Sequence, residues 1–240
     1  MKKSISYLTI SLLLSFCSTA QNREIPTDTI VITNHSTTIK GKNVNYQAQT
    51  GTQPVWGDKD KAIATLFYTY YRRTDIKKGS ERPLIFSFNG GPGAGSLWMH
   101  MGYTGPRILK VDSEGYPIQP YGFKSNPNSI LDEADIVFVN PVNVGYSRII
   151  ESEGKKEDRE TFFGVNQDIK YLAEWISTFI SRKNRWDSPK YLIGESYGGV
   201  RVMGLAHELQ DKQWIYLNGV IMVSPADYQV YPGPVSSAID

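Results

Sequence analysis

The sequence predicts an α/β fold, a mixed and mostly parallel sheet flanked by helices. Residues 84–88, 136–139, 191–193 and 220–223 are short and almost wholly apolar, the composition of strands buried on both faces. Between the second and third of these, Val165, Ile169, Leu172, Ile176 and Phe179 recur at spacings of four, three, four and three. That is one face of an amphipathic helix, whose other face carries Asp168, Lys170 and Glu174. Strand and helix in alternation is the order of a parallel sheet with helical crossovers.

Upstream the pattern differs. Residues 30–39 and 44–48 alternate apolar and polar side chains, and 62–71 adds β-branched and aromatic residues on both faces, so the chain is expected to open with antiparallel strands. Stretches containing Gly and Pro at 115–127 and 232–234 read as loops. No repeat, low-complexity segment or linker divides the 240 residues, which suffice for one domain with a sizeable core. A formal net charge of +2 gives no reason to expect a nucleic acid or an anionic membrane as partner. The mixed-sign run at 155–160 reads as a solvated loop or helix start.

The N-terminus has Lys2 and Lys3, an apolar run over 5–16, then Ser18, Thr19 and Ala20. This is the pattern of a secretory signal at 1–20, cleaved after Ala20, which leaves the domain at 21–240 and makes the protein secreted or periplasmic. The run is shorter than the roughly 20 apolar residues that span a bilayer. Cys17 leaves a second reading, lipidation as a bacterial lipoprotein, and only then is a membrane a partner; the bulky Phe16 fits that reading poorly. Because Cys17 is the one cysteine, cleavage after Ala20 leaves no disulfide. His35, His100 and His207 are scattered without ligand spacing, and neither C-x-x-C nor H-E-x-x-H occurs, so no metal and no cofactor is expected.

Residues 191–193 run into Gly194, Glu195, Ser196, Tyr197, Gly198 and Gly199, after which 202–209 continue as helix. G-x-S-x-G between strand and helix forms a nucleophile elbow. The chain turns so sharply there that glycine is needed two residues before and two after the serine, whose hydroxyl is lifted above the sheet edge. The helix N-terminus behind it directs N–H groups and a positive dipole end toward developing negative charge. Alone the motif is no more than a glycine-rich turn; its setting and a second motif make it specific. The strand over 83–88 ends in Asn89, Gly90, Gly91, Pro92, Gly93, Ala94, Gly95 and Ser96. This loop stands where an α/β hydrolase takes one donor of its oxyanion hole, the other being the N–H of Tyr197. A phosphate-binding loop is the rival, but Ser96 is followed by Leu97 and Trp98 rather than preceded by Gly-Lys, and no G-x-G-x-x-G occurs.

Together these motifs resemble the serine carboxypeptidase family. Asn89 to Gly93 matches its NGGPG loop, Gly105-Pro106 its following Gly-Pro pair, Pro141 to Ser147 its segment ending in Gly-Tyr/Phe-Ser, and Gly194 to Gly199 its GESYGG elbow. The similarity runs from about Thr50 to Pro225. It implies Ser196 as nucleophile, the N–H groups of Gly91 and Tyr197 as oxyanion hole, and Asn89 with Glu195 holding the C-terminal carboxylate of a peptide substrate. Two carboxylates lie together only by sharing a proton, so such binding weakens as pH rises. The family's cysteine after the glycine loop is Ala94 here, its glutamate before the Gly-Pro pair is Tyr103, and its aspartate before the Pro-Val pair is Asn140. Trp98, Met99 and Tyr103 either line an apolar pocket near the loop or pack in the core.

A triad also needs a base within reach of Ser196 and an acid to orient it, and in this fold both follow the serine. The one histidine after Ser196 is His207, roughly 16 Å along the helix at about 1.5 Å per residue. His100 reads as structural. Asp211, Asp227 and Asp240 have no histidine to serve. The expectation is therefore an α/β-hydrolase domain truncated before its cap and the C-terminal part of its sheet, with very low activity alone and an exposed strand edge at 220–223. Three functions stay open: a carboxypeptidase acting through an acyl-enzyme on Ser196, an esterase or acyltransferase of the same fold, and a non-catalytic binder of peptide C-termini.

Overall fold

In this computed structural model residues 26–57, 60–76, 81–150 and 159–226 are described. The expected signal segment, the expected loop at 232–234 and most of the charged run at 155–160 lie outside them. Strands β1 (Thr29–Ile39) and β2 (Lys42–Trp56) form a hairpin. Its two-residue turn, Lys40 and Gly41, has φ of 47° and 77°, the positive values that match the twist of the flanking strands. Next come β3 (Ala62–Arg73), β4 (Leu84–Phe88), a small hairpin of β5 (Arg107–Leu109) and β6 (Phe123–Ser125), then β7 (Asp135–Val139) and β8 (Arg148–Ile149). Helix α1 (Val165–Arg182), β9 (Lys190–Glu195), helix α2 (Tyr197–Asp211) and β10 (Gly219–Val223) complete the order.

The main sheet runs β1-β2-β3-β7-β4-β9-β10, with β8 beside β3. Pairing is antiparallel from β1 to β7 and parallel from β7 through β4 and β9 to β10. The expected antiparallel opening and parallel centre are both present.

Burial follows the alternation of the strands. Leu84, Phe86 and Phe88 of β4 face both helices, where Leu172, Trp175, Ile176 and Phe179 of α1 and Val202, Leu205 and Leu209 of α2 cover them. Ile85 faces the other way, with Ile136, Phe138 and Ile193, and is covered by Tyr46, Tyr71, Met99 and Leu131. Phe179 is the centre of the larger cluster, its ring 5.4 to 5.6 Å from those of Tyr68, Tyr70, Phe86 and Trp175. Asp135 anchors the start of β7: it accepts from the Arg73 N–H at 3.0 Å, from Arg82 Nε at 3.1 Å and from Arg185 Nη1 at 2.7 Å.

Several elements depart from the sequence expectation. Strand β2 continues to Trp56 rather than stopping at 48, because it pairs with β1 as far as Thr52 and with β3 as far as Trp56, and its polar residues have partners. Buried Gln53 donates to the Trp175 carbonyl at 3.0 Å and accepts from Trp175 Nε1 at 3.2 Å. The expected loop at 115–127 contains β6, three exposed residues without apolar periodicity. Trp98–Thr104 forms a π-helix; Met99 belongs to the core, whereas Trp98 and Tyr103 are exposed. Asp168, expected on the solvent face of α1, is buried against Arg201 of α2. Among the described residues β10 is the last strand of the sheet, and Val220, Ile221 and Met222 are exposed.

Truncating Phe179→Ala removes the ring through which α1 packs on β3 and β4. The expected loss is about 3–5 kcal/mol of stability in urea unfolding. A loss below about 1 kcal/mol, the range of an ordinary surface change, would contradict this packing.

Candidate active site

Parallel pairing of β4 with β9 places the two sequence motifs side by side. Phe88 is opposite Gly194, so Asn89, the first residue past β4, stands level with Glu195, the last residue of β9. Asn89 Nδ2 donates to Glu195 Oε2 at 2.9 Å, and Asn89 Oδ1 accepts from the Met99 N–H at 3.0 Å. Asn89 is buried and Glu195 half-buried. One residue further, a Cβ on Gly90 would stand 2.7 Å from the Tyr197 nitrogen and 2.8 Å from Ser196 Cβ, so only glycine lets the loop reach the turn. Gly91 follows with φ of 115° and is exposed.

Ser196 has φ of 58° and ψ of −123°, a conformation a residue with a side chain rarely adopts. Three hydrogen bonds hold it. Its N–H donates to the Val223 carbonyl at 3.0 Å, and its carbonyl accepts from the N–H groups of Gly199 at 2.9 Å and Ala226 at 3.1 Å. The glycine two residues earlier is obligatory: a Cβ on Gly194 would lie 2.0 Å from the Gly198 oxygen. Tyr197 is the first residue of α2, directly after the serine.

The far end of the glycine loop is tied to the segment over 140–147. Ser96 Oγ donates to the Val139 carbonyl at 2.6 Å, and its N–H donates to Asn140 Oδ1 at 3.0 Å. Ser147 Oγ donates to the Asn140 carbonyl at 2.8 Å. Three of the four sequence motifs therefore meet around the ends of β4, β7 and β9; the fourth, Gly105-Pro106, follows the π-helix, the Gly105 N–H donating to the His100 carbonyl at 3.1 Å.

None of the three histidines hydrogen-bonds Ser196 among the described residues. His35 lies on β1, bonded to Thr33 Oγ1 at 2.7 Å and stacked on Tyr46. His207 is exposed on α2. His100 stacks on Phe138 with ring centroids 4.3 Å apart, and its Nε2 is 2.7 Å from the Tyr71 hydroxyl. Burial pushes the His100 imidazole down to about 4 and the Tyr71 hydroxyl up, so a neutral ring beside a protonated hydroxyl is the stable pairing. Among the described residues no group of three His, Cys, Asp or Glu side chains is placed to hold a metal, and no helix is long and apolar enough to cross a membrane.

A profile of the serine carboxypeptidase family matches residues 40–227, more than three quarters of the chain. The chain belongs to the serine carboxypeptidase family. Serine carboxypeptidase-like 36 of Arabidopsis thaliana is 32% identical over 172 residues, covering 70% of this chain and 33% of the relative. Serine carboxypeptidase-like 37 of the same plant is 31% identical over 169 residues, covering 67% and 32%. The chain thus spans about a third of the length of the curated relatives it matches. Among solved structures, the prohormone-processing carboxypeptidase Kex1(delta)p of Saccharomyces cerevisiae superposes with a TM-score of 0.56 at 21% identity, over 73% of this chain and 38% of that one. The fold is that of the α/β hydrolases. Within this member of the family, nothing in the sequence marks the buried Arg201, Asp168 and Tyr171 beneath Asn89. Their partners are 33 and 112 residues apart in the chain, and charged residues at helical spacing read as a solvated face.

His100 gives the stability a pH slope of known sign. Its folded value lies below the ordinary imidazole value of 6.5, so the unfolded chain takes up the proton first. The contribution is complete above 6.5 and is lost between 6.5 and about 4, amounting to about 3 kcal/mol. His100→Gln, which keeps an acceptor for Tyr71, should flatten this part of a urea-stability profile; parallel profiles for parent and variant would show that the imidazole is not held neutral.

Proposed function

We propose that this chain is the nucleophile-bearing part of an exported serine carboxypeptidase that releases C-terminal residues from peptides. The observation that carries the proposal is the contact of Gly90 with the Ser196–Tyr197 turn, which sets the backbone of the glycine loop against the serine. Ser196 Oγ attacks the carbonyl carbon of the last peptide bond and passes its proton to a base. The Gly91 and Tyr197 N–H groups donate to the oxyanion of the tetrahedral intermediate, helped by the positive end of α2. Collapse of that intermediate breaks the C–N bond, the base returns the proton to the departing amine, and an acyl-enzyme remains for water to hydrolyse. Neither metal nor cofactor enters any step.

The base and its orienting acid belong, in this reading, to the part of the relatives' length that the chain does not span. The 240 residues alone then hydrolyse peptides only at the residual level of an oxyanion hole without a base. Asn89 and Glu195 take the substrate's terminal carboxylate. Asn89 Nδ2 already donates to Glu195, so a carboxylate arriving beside Glu195 is tolerated when the two share a proton. Export follows from residues 1–20 and is checked by N-terminal sequencing of the mature protein.

In the complete polypeptide Ser196→Ala should lower kcat by about 10^6-fold. Peptides with a free C-terminus should be cleaved with KM rising from acid to mildly alkaline pH, and amidated peptides poorly throughout. Equal cleavage of free and amidated peptides would favour an esterase or acyl-transfer role over exopeptidase action. Gly90→Ala, whose new methyl group meets backbone rather than a yielding side chain, should cost about 100- to 1000-fold in kcat, the size of one lost oxyanion donor. Unchanged turnover in that variant would remove the glycine loop from the mechanism.

A further inference from the structure

The geometry points to Arg201 as a positioning residue: paired with Asp168, it fixes the Asn89 peptide and thereby the glycine loop against the Ser196–Tyr197 turn. The inference deepens the preceding reading and rests on it for the roles of Ser196 and Asn89. Arg201 is only 2% exposed although it stands on α2, one helical turn past the serine. Its Nε donates to Asp168 Oδ2 at 2.6 Å and its Nη1 to the Asn89 carbonyl at 2.9 Å. The guanidinium carbon lies 5.2 Å from the Tyr197 ring centroid and 5.7 Å from that of Phe88. Asp168 Oδ1 accepts from the Tyr171 hydroxyl at 2.8 Å, and that hydroxyl accepts from the Val142 N–H at 3.2 Å. One line of hydrogen bonds thus runs from the segment after β7, through both helices, to the first residue of the glycine loop. Burial drives the Tyr171 hydroxyl well above its ordinary range, which keeps it a donor to Asp168.

Stability alone does not account for this pair. Removing two charges from water offsets most of their attraction, and apolar side chains of similar volume often do as well. What apolar side chains cannot do is donate to the Asn89 carbonyl. Asn89 holds Glu195 and Met99 through its side chain, and its carbonyl sets the plane of the peptide leading into Gly90, the residue in contact with the turn. A lysine at 201 offers a point charge in place of a planar fork and cannot serve Asp168 and Asn89 in the same geometry.

The test compares Arg201→Lys and the double variant Arg201→Met with Asp168→Asn in the 240-residue chain. The double variant removes both charges and leaves Tyr171 an acceptor. Three quantities are read: melting temperature, the Gly90 and Gly91 amide resonances of 15N-labelled protein, and affinity for a peptide with a free C-terminal carboxylate. The double variant should melt near the parent temperature while both resonances shift and affinity falls about 10- to 100-fold, the weight of a hydrogen bond to a charged group. Arg201→Lys should show the same losses, and it decides the matter if the double variant fails to fold. Parent-like resonances and affinity in either folded variant overturn the inference. Asn89→Ala is the control for the underlying reading. If it binds the peptide as the parent does, or if the parent does not bind, the carboxylate site is wrong and the two resonances alone decide the positioning claim.

Discussion

The register of β4 against β9 is the constraint from which the site follows. Leu84 lies opposite Lys190 and Phe88 opposite Gly194, so the chain leaving β4 comes level with the last residue of β9 and the turn after it. Asn89 reaches Glu195, and Gly90 reaches Ser196, because five pairs below are in step. That register is itself set by burial. Slipping β4 by one residue would turn Leu84, Phe86 and Phe88 away from the helices and bring Ser87 beneath Trp175 and Phe179. Apolar packing on the helix side therefore fixes the geometry of the polar site at the strand ends.

The elbow adds local strain to that frame. A non-glycine residue at the φ of Ser196 costs about 1–3 kcal/mol, a noticeable share of the roughly 5–15 kcal/mol that holds a domain together. The cost is tolerable only while neighbours fix the conformation, and two of the three hydrogen bonds that do so come from Val223 and Ala226. Strand β10, although it stands at the sheet margin with three exposed apolar residues, is in this sense part of the site. Through the Val223 carbonyl it restrains the most strained residue of the turn.

Much of this was legible in the sequence, for identifiable reasons. The parallel strands announce themselves by unbroken apolar runs, and α1 by the spacing of Val165 to Phe179. The elbow and the glycine loop were visible because sharp turns and close backbone approaches leave glycine no substitute. What stayed hidden depends on partners distant in sequence. The second half of β2 looks too polar for a strand until Gln53 is seen bonded to Trp175, and Asp168 looks solvated until Arg201 is placed across from it. The exposure of Trp98 and Tyr103 and the burial of Met99 between them reflect a π-helix, whose spacing matches neither of the two common periodicities.

Acid conditions weaken the folded state through one buried ring. His100 is held neutral by burial, so the unfolded chain binds its proton first as the pH falls. The magnitude sets how much this matters. Protonation of the unfolded chain at this one imidazole removes about 3 kcal/mol by the time the pH reaches about 4, and nothing further below that. A domain with 5–15 kcal/mol in hand survives such a loss, roughly, unless other groups add to it. His100 is therefore a bounded handicap: it erodes the margin between 6.5 and about 4, in return for a ring that packs on Phe138 and pairs with the Tyr71 hydroxyl in the second core cluster.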